Sequence, residues 1–409
     1  MDAIAEEYVK LVLAAGRHDD ALVDAYYGPP EWKAEADAAK VPLPDLKARV
    51  AALAAEATAR QPHPAAAIEH LHILRAAYLL RQLQALAARL DMLGGARLTF
   101  DQESQALYDA VAPHLPAEHF EAILGELEPL VPGDGPLPAR VLAFRQQFVV
   151  PRERLDAVFR AAIEECRRRT LAHLELPPGE SFTVEYVAGR AWSAYNWYQG
   201  GFHSLIQVNT ELPIFIELAI DLACHEGYPG HHVYNTLLEK HLVRDRGWVE
   251  YSVYNLFSPQ SLIAEGTANF GIEVAFPGAE RVAFEGARLF PLAGLDPSRA
   301  AEYYRVHALV QHLSHAGNEA ARRYLDGEIG PEEAAAWLVR YGLHSPERAR
   351  QRVGFFDKYR SYVINYNLGQ DLVRAHVEAQ GGTTDRPERR WQVFAELLAS
   401  PRLPSGLER

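Results

Sequence analysis

Residues 225–232 read His225-Glu226-Gly227-Tyr228-Pro229-Gly230-His231-His232, and the fold and chemistry of this 409-residue chain are read outward from them. A histidine followed at once by a glutamate, with more histidines one to two turns later, is the raw material of a zinc peptidase helix. The imidazoles bind the metal in their neutral form, and the adjacent glutamate faces the water beside it as general base. The usual spacing puts the two histidines at i and i+4 on one helix face. Here position i+4 is Pro229, which cannot bind metal, and the next histidines stand at i+6 and i+7. On an unbroken helix those positions lie about 9–10 Å from His225 along the axis. Two imidazoles on one zinc need nitrogens roughly 3–3.5 Å apart, given Zn–N bonds of about 2.0–2.1 Å. A straight helix therefore excludes the site. Pro229 removes a backbone donor and Gly230 accepts unusual dihedrals, so the sequence predicts a bulge that returns either His231 or His232 to the metal. The competing reading is a helix end followed by a Tyr-Pro-Gly turn with two solvated histidines.

Upstream of the motif, Pro213 opens a helix on which Glu217, Asp221 and His225 lie four apart on one face. Asp221 is thereby a candidate to hydrogen-bond the far nitrogen of a ligand histidine. Phe182–Val187 alternates as a strand does. Trp192–Thr210 is rich in aromatic and β-branched residues and is broken by Gly200-Gly201, so it reads as a hairpin ending in the strand Ser204–Thr210. A small sheet near residues 182–210 then precedes the metal helix, and its edge suits an extended peptide.

Downstream, Ser258-Pro259 is a helix start, with serine as cap and proline in the first turn. Glu265 sits in the apolar run that follows. A carboxylate buried there needs a partner, and a metal is one, so Glu265 is the candidate third ligand and Glu273 its weaker rival. Gly266 permits close approach of another helix, and Asn269 is placed to orient the Glu265 carboxylate. Amide hydrolysis also needs donors for the oxyanion. Tyr359, Tyr362 and Tyr366 share a face of a helix expected over Phe355–Gln380, with Arg360 alongside. His307, His312 and His315 share another, expected over Ala300–Tyr324.

Composition sets the frame. Hydrophobic residues make up 48%, enough for a large core, and the net charge of −13 argues against nucleic-acid or anionic-membrane surfaces. Two cysteines, Cys166 and Cys224, suit a reducing compartment rather than a disulfide framework. The N-terminal residues carry no basic segment followed by an apolar run, and no stretch of 18 apolar residues exists, so the expectation is a cytoplasmic chain without a membrane span. Residues 1–138 read as an N-terminal helical region. It includes an amphipathic run over Ala65–Leu93 whose Arg75, Gln82 and Arg89 fall on a polar face, and it ends in a linker, Glu128–Pro138, with four prolines and two glycines. Residues 139–409 read as a helical metallohydrolase region.

The chain resembles the bacterial domain-of-unknown-function 885 family. The resemblance rests on Val208-Asn209-Thr210, on His225-Glu226 through Pro229-Gly230-His231-His232, and on Glu265-Gly266 followed by Ala268. It covers about residues 180–380. It implies a gluzincin-type zinc peptidase. Tyr366 in Tyr366-Asn367-Leu368-Gly369 is similar to the family's tail pattern, and His315 falls where the family has a histidine. Gln311-His312-Leu313-Ser314 and Arg360-Ser361-Tyr362 depart from the family's strings.

The expectation is therefore a mainly α protein, a large helical metallopeptidase-like body with a small sheet before the metal helix. One zinc per chain is held by His225, Glu265 and one of His231 or His232. Glu226 is the general base, and Tyr366, with His315 second, steadies the oxyanion. Asn209, Tyr362 and Arg360 contact a short peptide or small amide substrate, and Asp221 and Asn269 support the ligands. A helical binding scaffold without catalysis, and a metal-dependent hydrolase of another amide or ester, are the readings that compete with a peptidase.

Overall fold

Helices dominate the chain because Ala, Leu and Arg fill long stretches whose apolar residues recur every three or four positions. The protein is seen here as a computed structural model that describes residues 1–62, 69–190 and 192–407. The helix His70–Leu93 illustrates the pattern: Leu79, Leu83, Leu86 and Leu90 are all fully buried. The expected first turn from Ala65 lies outside the described residues. The polar face expected on this helix is in fact a buried seam. Arg75 is 3% exposed and binds Glu250 at 2.5 and 3.0 Å, Gln82 accepts from the Tyr8 hydroxyl at 3.0 Å, and Arg89 holds Asp19 at 2.6 Å. Buried charge is tolerated there because each group has a partner.

Strand β1 (Val23–Tyr26) lies in the first quarter of the chain. The three strands of the expected sheet are β2 (Ser181–Val187), β3 (Ala194–Gly200) and β4 (His203–Asn209). β3 and β4 form the antiparallel hairpin, turning at Gly200-Gly201 where both φ values are positive, and β2 adds to the other side of β4 in parallel. A second, two-stranded sheet pairs β1 antiparallel with β5 (Val253–Asn255). Other contacts also join the first 138 residues to the rest. Tyr78 donates to Gln260 at 2.7 Å, and buried Glu103 takes three hydrogen bonds from Arg360 and Ser361. Around the Pro/Gly-rich stretch, Val131 is buried and its carbonyl accepts from Arg140 at 2.9 Å.

The helix Pro259–Ala275 is buried on every side from Pro259 to Ala268. Its Ser258 does not cap it; the hydroxyl donates to the Asn255 carbonyl at 2.7 Å instead. It crosses the helix Ile364–Ala379 at Gly266 and Gly369. A methyl group on Gly369 would stand 2.7 Å from the Leu262 carbonyl oxygen, and one on Gly266 would collide with the Gly369 carbonyl, so only glycine fits at either point.

Two expected helices are each interrupted. The Phe355–Gln380 stretch is two helices, Pro346–Tyr359 and Ile364–Ala379, joined by a tight turn Arg360–Val363. Arg360 turns the chain with φ of +52°, and Glu103 pins the turn. The Ala300–Tyr324 stretch divides into Ala300–His312 and Ala316–Leu325, and Asn367 holds the intervening Ser314 carbonyl at 3.1 Å. Among the described residues no helix is long and apolar enough to cross a membrane.

Candidate metal centre

The motif helix does not run straight. A regular helix, Glu217–Leu222, widens into a π turn over Ala223–Gly227, breaks at Tyr228-Pro229-Gly230, and a new helix starts at His231. The Gly230 amide reaches back to the Cys224 carbonyl at 2.9 Å. A side chain at position 230 would overlap the Cys224 and His225 carbonyl groups, so glycine is required by close approach of backbone to backbone. The break folds His231 back onto His225. Their ring centroids are 4.6 Å apart with planes at 86°, about half the distance that a continuous helix imposes.

This brings four of the expected residues together. His225, Glu226 and His231 present ligand atoms that all lie within 4.8 Å of one another. Glu265 enters from the buried helix, with Oε2 at 3.2 Å from His225 Nε2 and 3.7 Å from His231 Nε2. Ligands about 2.0–2.1 Å from a tetrahedral ion stand roughly 3.3 Å from each other, so these separations match a shared cation. Glu265 Oε1 accepts from the Tyr362 hydroxyl at 2.7 Å, whereas Oε2 is buried with no hydrogen-bond partner among the described residues. With both imidazoles neutral, as metal ligands are, two buried carboxylates leave the site two positive charges short of neutral, and a carboxylate oxygen with no hydrogen-bond partner among the described residues points into it. A divalent cation satisfies both.

Asn269 fixes the tautomer of His225. Asn269 donates from Nδ2 to the Tyr366 carbonyl at 2.8 Å, so its Oδ1 is left to accept from His225 Nδ1 at 2.9 Å. The Nε2 lone pair of His225 then faces the centre. Asn269 thus orients the imidazole rather than the Glu265 carboxylate. Without a metal, burial opposes the charged form of His225, but the Glu265 and Glu226 carboxylates outweigh it and push the imidazole up to about 9. Glu265 is held well below its ordinary range because the two imidazoles overcome the cost of burial. Burial raises Glu226, whose carboxylate accepts no hydrogen bond among the described residues; its backbone carbonyl is held by Asn196 of β3 at 2.6 Å.

Several expected roles need correction. His232 is fully buried and turned away, with Nδ1 at 2.9 Å from Ser204 Oγ and Nε2 at 2.9 Å from Glu180 Oε2, so neither nitrogen is free for a metal. Asp221 lines the cavity but pairs with Arg281 at 2.7 Å instead of a histidine. Arg360 points to the Glu103 carboxylate at 2.6 Å, and Asn209 spends its amide on the Arg190 and Trp192 backbone carbonyls, so neither faces the cavity. Tyr362 supports Glu265 directly. Glu273 is paired with Arg374 and Gln370. Cys224 is buried with Sγ at 3.2 Å from Cys166 Sγ, away from the centre.

All four groups of the centre line one cavity of about 1510 Å³, larger than the roughly 300–1,000 Å³ of most small-molecule sites. Tyr366 lines it too, its ring 6.5 Å from that of His225. His315 is in the wall, but its Nε2 is bound to Asp371 at 2.9 Å. Several cavity groups were not singled out from the sequence, Asp24, Arg348 and Arg352 among them. Asp24 comes from β1, accepts from the Tyr195 hydroxyl, and is pushed up to about 8 by burial and by the charges of Glu265 and Glu226. No local pattern signals it, because strand pairing brings it from some 200 positions away. Arg348 and Arg352 were legible in principle: two like charges at i and i+4 cost a helix about 0.2–0.5 kcal/mol unless a partner from elsewhere meets them.

No family model matches the chain, and no curated protein matches it. Solved structures do. A candidate lipoprotein from Colwellia psychrerythraea is 15% identical with a TM-score of 0.55, over 92% of this chain and 71% of its own. A candidate lipoprotein of unknown function from Shewanella oneidensis is 13% identical with a TM-score of 0.52, over 93% of this chain and 78% of its own. An M32 carboxypeptidase from Deinococcus radiodurans R1 is 13% identical with a TM-score of 0.45, over 99% and 95%. The first two likenesses show a shared mainly helical fold and nothing of activity, and the third is too slight to carry either.

Proposed function

We propose that this chain is a zinc-dependent hydrolase of the gluzincin type, a peptidase acting on short peptides or small amides, as the resemblance to the domain-of-unknown-function 885 family implies. The observation that carries the proposal is the orphaned Glu265 Oε2 beside two imidazole nitrogens, with Glu226 next to them in a large cavity. His225, His231 and Glu265 would hold the ion. When bound, a divalent zinc supplies a Lewis acid and lowers the pKa of water to about 7.

The remaining work falls to the protein's own groups. Glu226 takes a proton from the attacking water on its carboxylate and returns it to the leaving amine nitrogen. Its burial raises its basicity for that exchange. The Tyr366 hydroxyl, held well above its ordinary range by burial and by the negative charge of Glu265, stays protonated and donates to the carbonyl oxygen as it becomes negative. Asn269 keeps the His225 ring turned so that Nε2, not Nδ1, meets the centre.

The test pairs elemental analysis of gently purified protein with a screen of short peptides. The expected result is about one zinc per chain and hydrolysis that a chelator removes and zinc restores. A stoichiometry far below one, unchanged by added zinc and without thermal stabilisation, favours the binding-scaffold reading. Hydrolysis confined to esters or non-peptide amides keeps the metal and replaces the substrate.

A further inference from the structure

The cavity that holds the metal centre is lined by several charged side chains, and nearly all of its cations are already neutralised. Arg145 binds Glu217 at 2.7 Å, Arg281 binds Asp221 at 2.7 Å, and Arg374 bridges Glu273 and Asp371. Arg348 and Arg352 are different. They lie one turn apart on the helix Pro346–Tyr359, half-buried in the same wall, and among the described residues neither meets a carboxylate. Arg348 donates only to neutral oxygens, Gln351 Oε1 at 2.6 Å and Ser193 Oγ at 3.0 Å. Arg352 makes no hydrogen bond among the described residues. Its guanidinium lies 4.5 Å from the Phe355 ring centroid and 5.9 Å from that of Tyr366.

Unpaired guanidinium groups in a desolvated wall are costly, and the surroundings register that cost. Burial and the neighbouring Arg352 lower Arg348 to about 10, and burial lowers Arg352 as well. His344, also in the wall, is driven down to about 3 by burial and by the charges of Arg352 and Arg348, so it cannot supply a further cation at neutral pH. The missing partner is an anion. A fork of two guanidinium groups matches a carboxylate, which takes parallel N–H donors.

We propose that Arg348 and Arg352 bind the free C-terminal carboxylate of the substrate, so that the cavity takes peptides by their carboxyl end. The proposal rests on the peptidase reading for the word substrate, but the anion site stands on its own geometry. Tyr366 lies between the two places, its ring 5.9 Å from the Arg352 guanidinium and 6.5 Å from the His225 ring. Those two steps reach no further than a few residues of extended chain, at about 3.3–3.6 Å each. A carboxylate seated on the arginines therefore sets the scissile bond within a few residues of the C-terminus. Phe355 and Tyr359, also in the wall, suit an apolar side chain beside it.

Calorimetry in the Glu226→Gln background, where peptide is not consumed, tests this with three probes: N-acetyl-Ala-Ala-Phe as the free acid, the same peptide as the amide, and N-acetyl-Ala-Asp-Phe amide. The free acid is expected to bind about tenfold tighter or more than its amide, as charge-assisted hydrogen bonds allow. Arg352→Gln and Arg348→Gln are each expected to bring that ratio close to one without changing zinc content or helical signal, and Arg352→Lys to restore part of it. Equal binding of acid and amide, no binding of either, a ratio that survives both glutamine variants, or an aspartyl amide that binds as well as the free acid each overturns the proposal. Zinc content and turnover are measured separately. Protein with no metal that still prefers the acid sinks the peptidase reading alone, and active zinc protein without the preference sinks the anion site alone.

Discussion

The broken helix at residues 228–230 carries two histidine–glutamate arrangements, one on each side, and they differ in how far their polar atoms are satisfied. On the cavity side, His225 and His231 meet Glu265, and one carboxylate oxygen is left with no hydrogen-bond donor among the described residues. Behind it, His232 meets Glu180, and every polar side-chain atom is engaged: Ser204 and Glu180 hold the ring, Tyr228 shares Glu180 Oε2 with the imidazole, and Arg167 holds Oε1. Residue types are the same, and burial is similar. What separates a candidate metal centre from a structural pair is whether the protein has already satisfied its own polar groups. Adjacent residues in one string, His231 and His232, fall on opposite sides of that line.

The sharpest test of the cavity side is Glu226→Gln. The amide keeps the volume but cannot take a proton, so turnover is expected to fall by about 10²–10⁴-fold or more with zinc content unchanged. Steady-state kinetics on a verified substrate, with elemental analysis of the same sample, checks it, and near-normal turnover removes Glu226 from the mechanism.

Next comes the contrast between neighbours. His231→Ala is expected to lose most of the zinc with little loss of fold. His232→Ala removes one of three partners of buried Glu180 and is expected to cost about 1.5–3 kcal/mol of stability while zinc stoichiometry holds. Urea melts and metal analysis of both variants decide this, and the comparison fails if the two variants behave alike.

A smaller effect is expected from Asn269→Ala, which frees the His225 ring without touching a ligand. Loss of such an outer partner typically weakens metal affinity by about 10–100-fold. Competition with a chromogenic chelator measures it; unchanged affinity places the orientation of His225 elsewhere.

The smallest effect concerns acid. Burial disfavours the Glu180 carboxylate, but His232, Tyr228 and Arg167 together hold it below its ordinary 4.5. A depressed native pKa contributes stability that is full above the unfolded value and is lost as pH falls through the native one. The melting temperature should therefore drop below about pH 4.5 more steeply in the parent than in Glu180→Gln, with the two curves parallel near neutrality. Parallel curves at every pH remove Glu180 from the acid response.

Much of the fold was legible because it rests on local patterns. Helical spacing, the Gly200-Gly201 turn and the alternation at Ser181–Val187 need no distant information. The helix break was legible too, because Pro229-Gly230 and the reach of a zinc ion are incompatible with a straight helix. The choice between His231 and His232 was not, since it depends on Glu180 and Ser204, which no spacing rule connects to the motif. The same limit applies to Arg75 and Arg89. Their periodicity describes a face, and only partners brought from Glu250 and Asp19 make that face an interior one. Arg360 and Arg352 invert each other for the same reason: the first has Glu103 waiting for it, and the second meets aromatic rings but no carboxylate among the described residues.

The contact between Gly266 and Gly369 bears on how this cavity can move. Two helices that touch backbone to backbone have no side chains between them to slide or re-pack, so Glu265 on one and Tyr366 on the other behave as parts of a single stiff block. Entry of a substrate and departure of products must then be accommodated by the opposite wall. The helix bearing Arg348 and Arg352 is tied to that block through the Arg360–Val363 turn, which Glu103 pins. The span between the two guanidinium groups and the metal centre would then keep its dimensions throughout the cycle.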